Sequence, residues 1–233
     1  MAPAELSVAN FTALCAKSEG RDKTARFCQY AARLIVGLCG MQPLKAGTRL
    51  HQLNELAGNV MKQLAGARRT HRWCKEFPVI QQILQGLPSV VPQPLNVGVL
   101  VDRSLDMLQK VTLATFLVID HVGWLKQMKI LSGGKRVGTG TIQLGLKFFC
   151  ASNLVGMVIQ TKKYTECGDD AGDKKRKCAE NAMKHAFLAV QTAHLSRAYE
   201  SHDALVGFLG MITSGMDVLA QWPEKKPPAV KAS

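Results

Sequence analysis

The stretch Ser18-Glu-Gly-Arg-Asp-Lys-Thr-Ala-Arg-Phe-Cys-Gln-Tyr-Ala-Ala-Arg33, running on to Met41, decides how the chain is read. Wound at about 100° per residue, Asp22, Arg26, Gln29 and Arg33 fall on one narrow stripe. Phe27, Cys28, Ala31, Leu34, Ile35 and Leu38 fill the other side, an apolar arc wider than half the circle. Gly20 interrupts the pattern just before it, and Asp22 is placed to cap the helix and to pair with Arg26 one turn on. The wheel alone fits a core-facing helix of a soluble domain as well as a membrane-associated one.

Composition tilts the balance. At 233 residues the chain can bury a full core, as one large domain or two small ones. Thirty Lys and Arg against 17 Asp and Glu give +13, which calls for an anionic partner, either nucleic acid or an anionic membrane. Aromatic residues at 6% leave few rings for stacking on bases, while 47% hydrophobic against 20% charged is greasy for so basic a protein. That combination favours a membrane. The seven cysteines (15, 28, 39, 74, 150, 167, 178) are odd in number and form no Cys-x-x-Cys pair, so free thiols are expected rather than disulfides or a zinc site. No secretory signal and no Ser-Lys-Leu-type tripeptide is read at the ends.

In chain order, residues 5–17 form a short amphipathic helix with Val8, Phe11, Leu14 and Cys15 on one side. A second long helix is expected from Thr48 to Phe77, ended by Pro78. Its Leu53, Leu56, Val60, Leu64, Ala67 and Cys74 face one way, and Lys62, Arg68, Arg69, Arg72 and Lys75 the other. Only Glu55 and Glu76 lie within that basic cluster, and a one-signed face opposite leucines suits a helix lying on anionic lipid. Pro78, Pro88, Pro92 and Pro94 then break an uncharged run, so 78–101 reads as a loop or broken hairpin. Helix returns from Asp102 to Leu131 and from Thr141 to Gln160, the latter with Gly145, Ser152 and Gly156 on one face. A polar loop over 161–177 and a helix from Cys178 to Tyr199 follow. Ala204–Trp222 is the best spanning candidate, with Asp217 its only charge. Gly207, Gly210, Ser214 and Asp217 recur along one stripe of it and form the expected helix–helix interface, made either with Gly145, Ser152 and Gly156 or with a second copy.

Two tempting catalytic readings fail. Asp120-His121 are neighbours about 100° apart on a helix, with no nucleophile placed beside them. Ser132-Gly-Gly-Lys-Arg-Val-Gly-Thr-Gly-Thr141 has neither the preceding strand nor the glycine spacing of a phosphate loop, and reads as a flexible basic loop. No catalytic residues, cofactor or metal site are expected. A soluble nucleic-acid binder using the basic helix is the rival in another class, and it should leave membranes in high salt.

Ser18-Glu19-Gly20-Arg21-Asp22-Lys23, followed by Arg26, Gln29 and Tyr30, resembles the signature of the peroxin 11 family of peroxisomal membrane elongation and division proteins. Ile119-Asp120-His121-Val122-Gly123-Trp124 and the Gly207–Trp222 segment resemble the same family more loosely, so the likeness spans essentially the whole chain. It implies a protein of the peroxisomal membrane, or of the glycosomal membrane in a kinetoplastid, that remodels and elongates the organelle before fission. The expected fold is all-α, several amphipathic helices plus one or two membrane-spanning ones. Its regions are 1–77 (membrane-remodelling), 78–101 (connector), 102–160 (central helices), 161–177 (loop) and 178–233 with the spanning segment 204–222. Anionic lipid is expected on Arg26 and Arg33 and on Lys62, Arg68, Arg69, Arg72 and Lys75. Implied partners are anionic phospholipid, further copies of the chain, and a dynamin-related GTPase with its adaptor, with no nucleic acid among them. Channel activity has been proposed for the family, so a pore-forming metabolite channel is the alternative.

Overall fold

The computed structural model describes residues 5–89, 96–134, 137–168 and 171–224. Among these are eight α-helices: α1 (Val8–Ala16), α2 (Ser18–Cys39), α3 (Arg49–His71), α4 (Glu76–Gly86), α5 (Val97–Gln127), α6 (Gly138–Glu166), α7 (Gly172–Leu195) and α8 (Asp203–Gln221). Side chains begin several of them. Ser7, Thr48 and Asn96 each accept a bond from the backbone N–H three residues on, which satisfies a donor the first turn leaves open.

Several boundaries differ from the sequence reading. Pro78 does not end a helix but sits in the first turn of α4, where its missing N–H costs nothing. The chain turns before it at Cys74, whose φ of 67° stops α3 from continuing. Eleven residues clear of Pro88 then suffice for three turns, so 78–101 holds a helix where a loop or broken hairpin was expected. Pro92 and Pro94 lie outside the described residues, as do Lys135 and Arg136 of the basic loop and the basic tail. The polar loop shrinks to the few residues between α6 and α7, because Lys162 pairs with Glu166 one turn on and with Asp102 of α5. Asp169 of its acidic run is outside the described residues.

The helices are arranged in a closed circuit. α2 and α3 form an antiparallel pair, as do α5 and α6, α6 and α7, and α7 and α8. α8 also runs antiparallel along α2, and α5 meets α3 and α4 to complete the ring. The expected N-terminal and C-terminal regions are thus packed against each other through α2 and α8.

Glycines set the α2–α8 contact. A Cβ on Gly207 would lie 2.4 Å from the Leu34 nitrogen, one on Gly210 2.1 Å from the Tyr30 ring, and one on Gly37 2.1 Å from the Ala204 nitrogen. Backbones approach this closely only where side chains are absent. The Gly207 stripe therefore faces α2. Gly145, Ser152 and Gly156 are not its partners within the chain. Gly145 packs on Phe116 and Ile119 of α5, Ser152 donates to the Gln109 carbonyl, and Gly156 lies against Gln109 and His185.

Candidate functional site

The polar stripe of α2 points inward. Asp22 is 3% exposed and Arg26 7%, while Phe27 and Leu38 on the expected core face are turned outward. The faces were legible and their direction was not. Asp22 does not cap α2, which begins a turn earlier, nor does it pair with Arg26. It accepts from Arg68 Nε at 3.1 Å, and the same guanidinium bonds Gln29 at 2.6 Å.

Arg26 instead reaches the far end of the chain. Its Nη1 lies 3.2 Å from Asp217 on α8, and its Nη2 bonds Thr213 at 3.2 Å and Gln191 at 3.4 Å. Asp217 also takes Lys23 at 3.1 Å and Lys184 of α7, so one carboxylate ties three helices together. Arg33 and His194 share Asp203. On the other side of the ring, Asp120 of α5 accepts from Arg69 at 3.4 Å and from Arg72 at 3.3 Å. His121 lies 3.4 Å from Glu76, under the tilted ring of Trp73. Both members of the Asp-His pair thus join α5 to α3 and α4.

The seven residues expected to meet anionic lipid separate into two groups. Arg26, Arg33, Arg68, Arg69, Arg72 and Lys75 all face acids from other helices, Lys75 through Glu19 at 3.5 Å. Lys62 stays exposed. The face of α3 that is open is the apolar one, with Leu53, Leu56 and Val60 outward. The scarcity of acids near the basic cluster in sequence hid Asp22 and Asp120, which are distant in sequence and adjacent in space. Arg68 and Arg72 one turn apart, and single acids inside otherwise apolar helices, are the signal that could have found the network.

Charge in this interior is held firmly. Burial would raise the Asp22 carboxyl, but Arg68, Arg72, Lys23 and Lys75 outweigh it and keep it below its usual value of 3.8. Its contribution to stability is therefore complete above that value and fades only as pH falls through the lower folded one. Burial, with Arg72 beside it, brings Arg68 down to about 10, still fully charged at neutral pH.

The ionic groups of α2, α3 and α5 border a partly open cavity of about 560 Å³ lined by α2 to α7. Outside, large apolar side chains are open on nearly every helix: Val8 on α1, Leu56 on α3, Phe77 on α4, Leu154 and Val158 on α6, Phe208 and Leu219 on α8. Leu56 is 63% exposed while Asp217 is 6% exposed. Water would invert that distribution, and lipid accepts it. Among the described residues two helices, Gly138–Glu166 and Asp203–Gln221, are long and apolar enough to cross a bilayer.

The class so defined is an all-α membrane protein, apolar outside and ionic within. The family model of peroxisomal biogenesis factor 11 matches residues 8–222, and the chain belongs to that family. It is a protein of the peroxisomal membrane involved in peroxisome proliferation, and its family is one of biogenesis factors rather than enzymes. Neither the curated proteins nor the solved structures yield a match.

Proposed function

We propose that this chain elongates the peroxisomal membrane ahead of fission, by adding area to one leaflet. The outward apolar faces of α1, α3 and α4 support this reading, with Val8 and Phe11, then Leu53, Leu56 and Val60, then Phe77 and Leu84 all open. Amphipathic helices with such faces settle at headgroup depth and expand the leaflet they enter, which favours curvature. Exposed Lys17, Arg21, Lys45, Arg49 and Lys62 are among the cations left to hold anionic phospholipid. Further copies of the chain, and a dynamin-related GTPase with its adaptor, are the partners this role calls for. In a kinetoplastid the organelle would be the glycosome.

Alkaline carbonate should leave the protein in the membrane pellet, held by α6 and α8, and release into the supernatant would remove both spans. Overexpression of a fluorescent fusion should lengthen or cluster peroxisomes. Unaltered organelles would refute elongation. A Leu56→Asp, Val60→Asp variant, which changes only the outer face of α3, should retain targeting and lose most of the lengthening.

The ionic cavity favours a second reading, a metabolite channel of the peroxisomal membrane. Stepwise conductance in reconstituted bilayers would support it, and a silent bilayer would count against it.

A further inference from the structure

Seven cations line the cavity: Lys23, Arg26 and Arg33 from α2, Arg68, Arg69 and Arg72 from α3, and Lys75 just before α4. The carboxylates that meet them are Glu19, Asp22, Asp120, Asp203 and Asp217, and Asp217 is drawn on by Lys184 as well. Among the described residues, eight cations therefore share five carboxylates. A surplus of like charge on partly buried side chains is costly unless a counter-charge joins it.

Donors also remain in excess. Arg69 meets Asp120 through Nε and Arg72 through one terminal nitrogen, whereas a guanidinium carries five N–H groups. The Arg33 Nε is buried without a hydrogen-bond partner. The facing wall has the opposite character: Leu113 and Leu117 of α5, Ile142 and Leu146 of α6, and the stacked rings of Phe116 and Phe149, 4.5 Å apart. One side is cationic and donor-rich, the other apolar and aromatic. The volume is that of a small-ligand site.

We propose that this cavity binds an anionic amphiphile, with its phosphate or carboxylate against the α2–α3 cations and its apolar part along α5 and α6. The oxygens of such a headgroup suit arginine forks, which bind them in pairs. The apolar tail accounts for the second wall, which a bare inorganic anion would leave unused. The ligand chemistry has two sources, a membrane phospholipid with a phosphomonoester head or a free single-chain amphiphile. The site does not rest on the elongation reading, since it uses the inner faces of the helices and elongation the outer ones.

The full chain, reconstituted in phosphatidylcholine nanodiscs, provides the test. Dioleoyl phosphatidic acid supplied in the disc and dodecyl phosphate supplied from solution are titrated separately, with dodecyltrimethylammonium as the cationic counterpart. Saturable binding of the first alone identifies a lipid source, and of the second alone a free one. Binding of both identifies the shared headgroup chemistry. Arg69→Gln leaves Asp120 its bond to Arg72 and should weaken binding tenfold or more. Leu146→Trp fills the apolar side, alters no charge, and should weaken it comparably. Absence of saturable binding to either anion, equal binding of the cation, or binding that neither variant changes would overturn the proposal.

Discussion

Asp217→Asn should remove most of the stability of the bundle. Lys23, Arg26 and Lys184 converge on that one carboxylate from α2 and α7, and no second carboxylate on α8 reaches them. Breaking a buried ion pair from one side costs about 3–5 kcal/mol, because the partner is left charged and unsolvated. A typical domain has only about 5–15 kcal/mol in total. Thermal unfolding in detergent micelles should therefore show a much lower midpoint, or no cooperative transition. Asp106→Asn is the contrast, since Asp106 pairs with Lys110 on the open surface and such pairs contribute about 0–1 kcal/mol. If the two variants melt alike, Asp217 is not the central counter-ion.

Gly207→Leu together with Gly210→Leu should separate α8 from α2. The added Cβ atoms would meet the Leu34 backbone and the Tyr30 ring at 2.4 and 2.1 Å, and backbone cannot step aside as a flexible side chain can. Ordinary overpacking costs about 1–3 kcal/mol per site. Two adjacent sites against a neighbouring helix should exceed that, and Arg26 would lose its reach to Asp217 as well. Gly215→Ala lies on the same helix with its nearest neighbour, Phe27, at 3.9 Å. There the gain in helix propensity, about 1 kcal/mol, should be kept. Opposite shifts of the melting midpoint are the expected result, and a neutral double variant would mean that α2 and α8 do not pack through these glycines.

Local pattern carried the reading as far as local pattern reaches. The stripe Gly207, Gly210, Ser214 and Asp217 lies on α8, whose bounds Asp203–Gln221 are one residue from the expected ones at either end. The wheel of α2 separates its faces correctly, yet periodicity has no sign. It distinguishes two sides without saying which one meets the interior, and here Arg26 is in and Phe27 out. α4 has prolines at both ends that look like breakers, but Pro78 falls in a first turn and Pro88 beyond the last. The partner of the glycine stripe was not legible at all. Choosing α2 over Gly145 and its neighbours depends on how helices some 170 residues apart come together, and no window of sequence contains that information.

The bond between Arg26 and Asp217 spans 191 residues, and Arg33 to Asp203 spans 170. Synthesis runs from the amino end, so α2 is made long before the helix that neutralises it. Until α8 emerges, Lys23, Arg26 and Arg33 have no carboxylate on α8 to turn toward. Contacts this distant in sequence also close late, since loop-closure entropy must be met first. The nascent chain thus carries an open cationic flank through most of its translation, and the last helix acts as the latch. A chain cut before Asp203 should leave α2 open to protease, whereas adding an α8 peptide in trans should restore its protection.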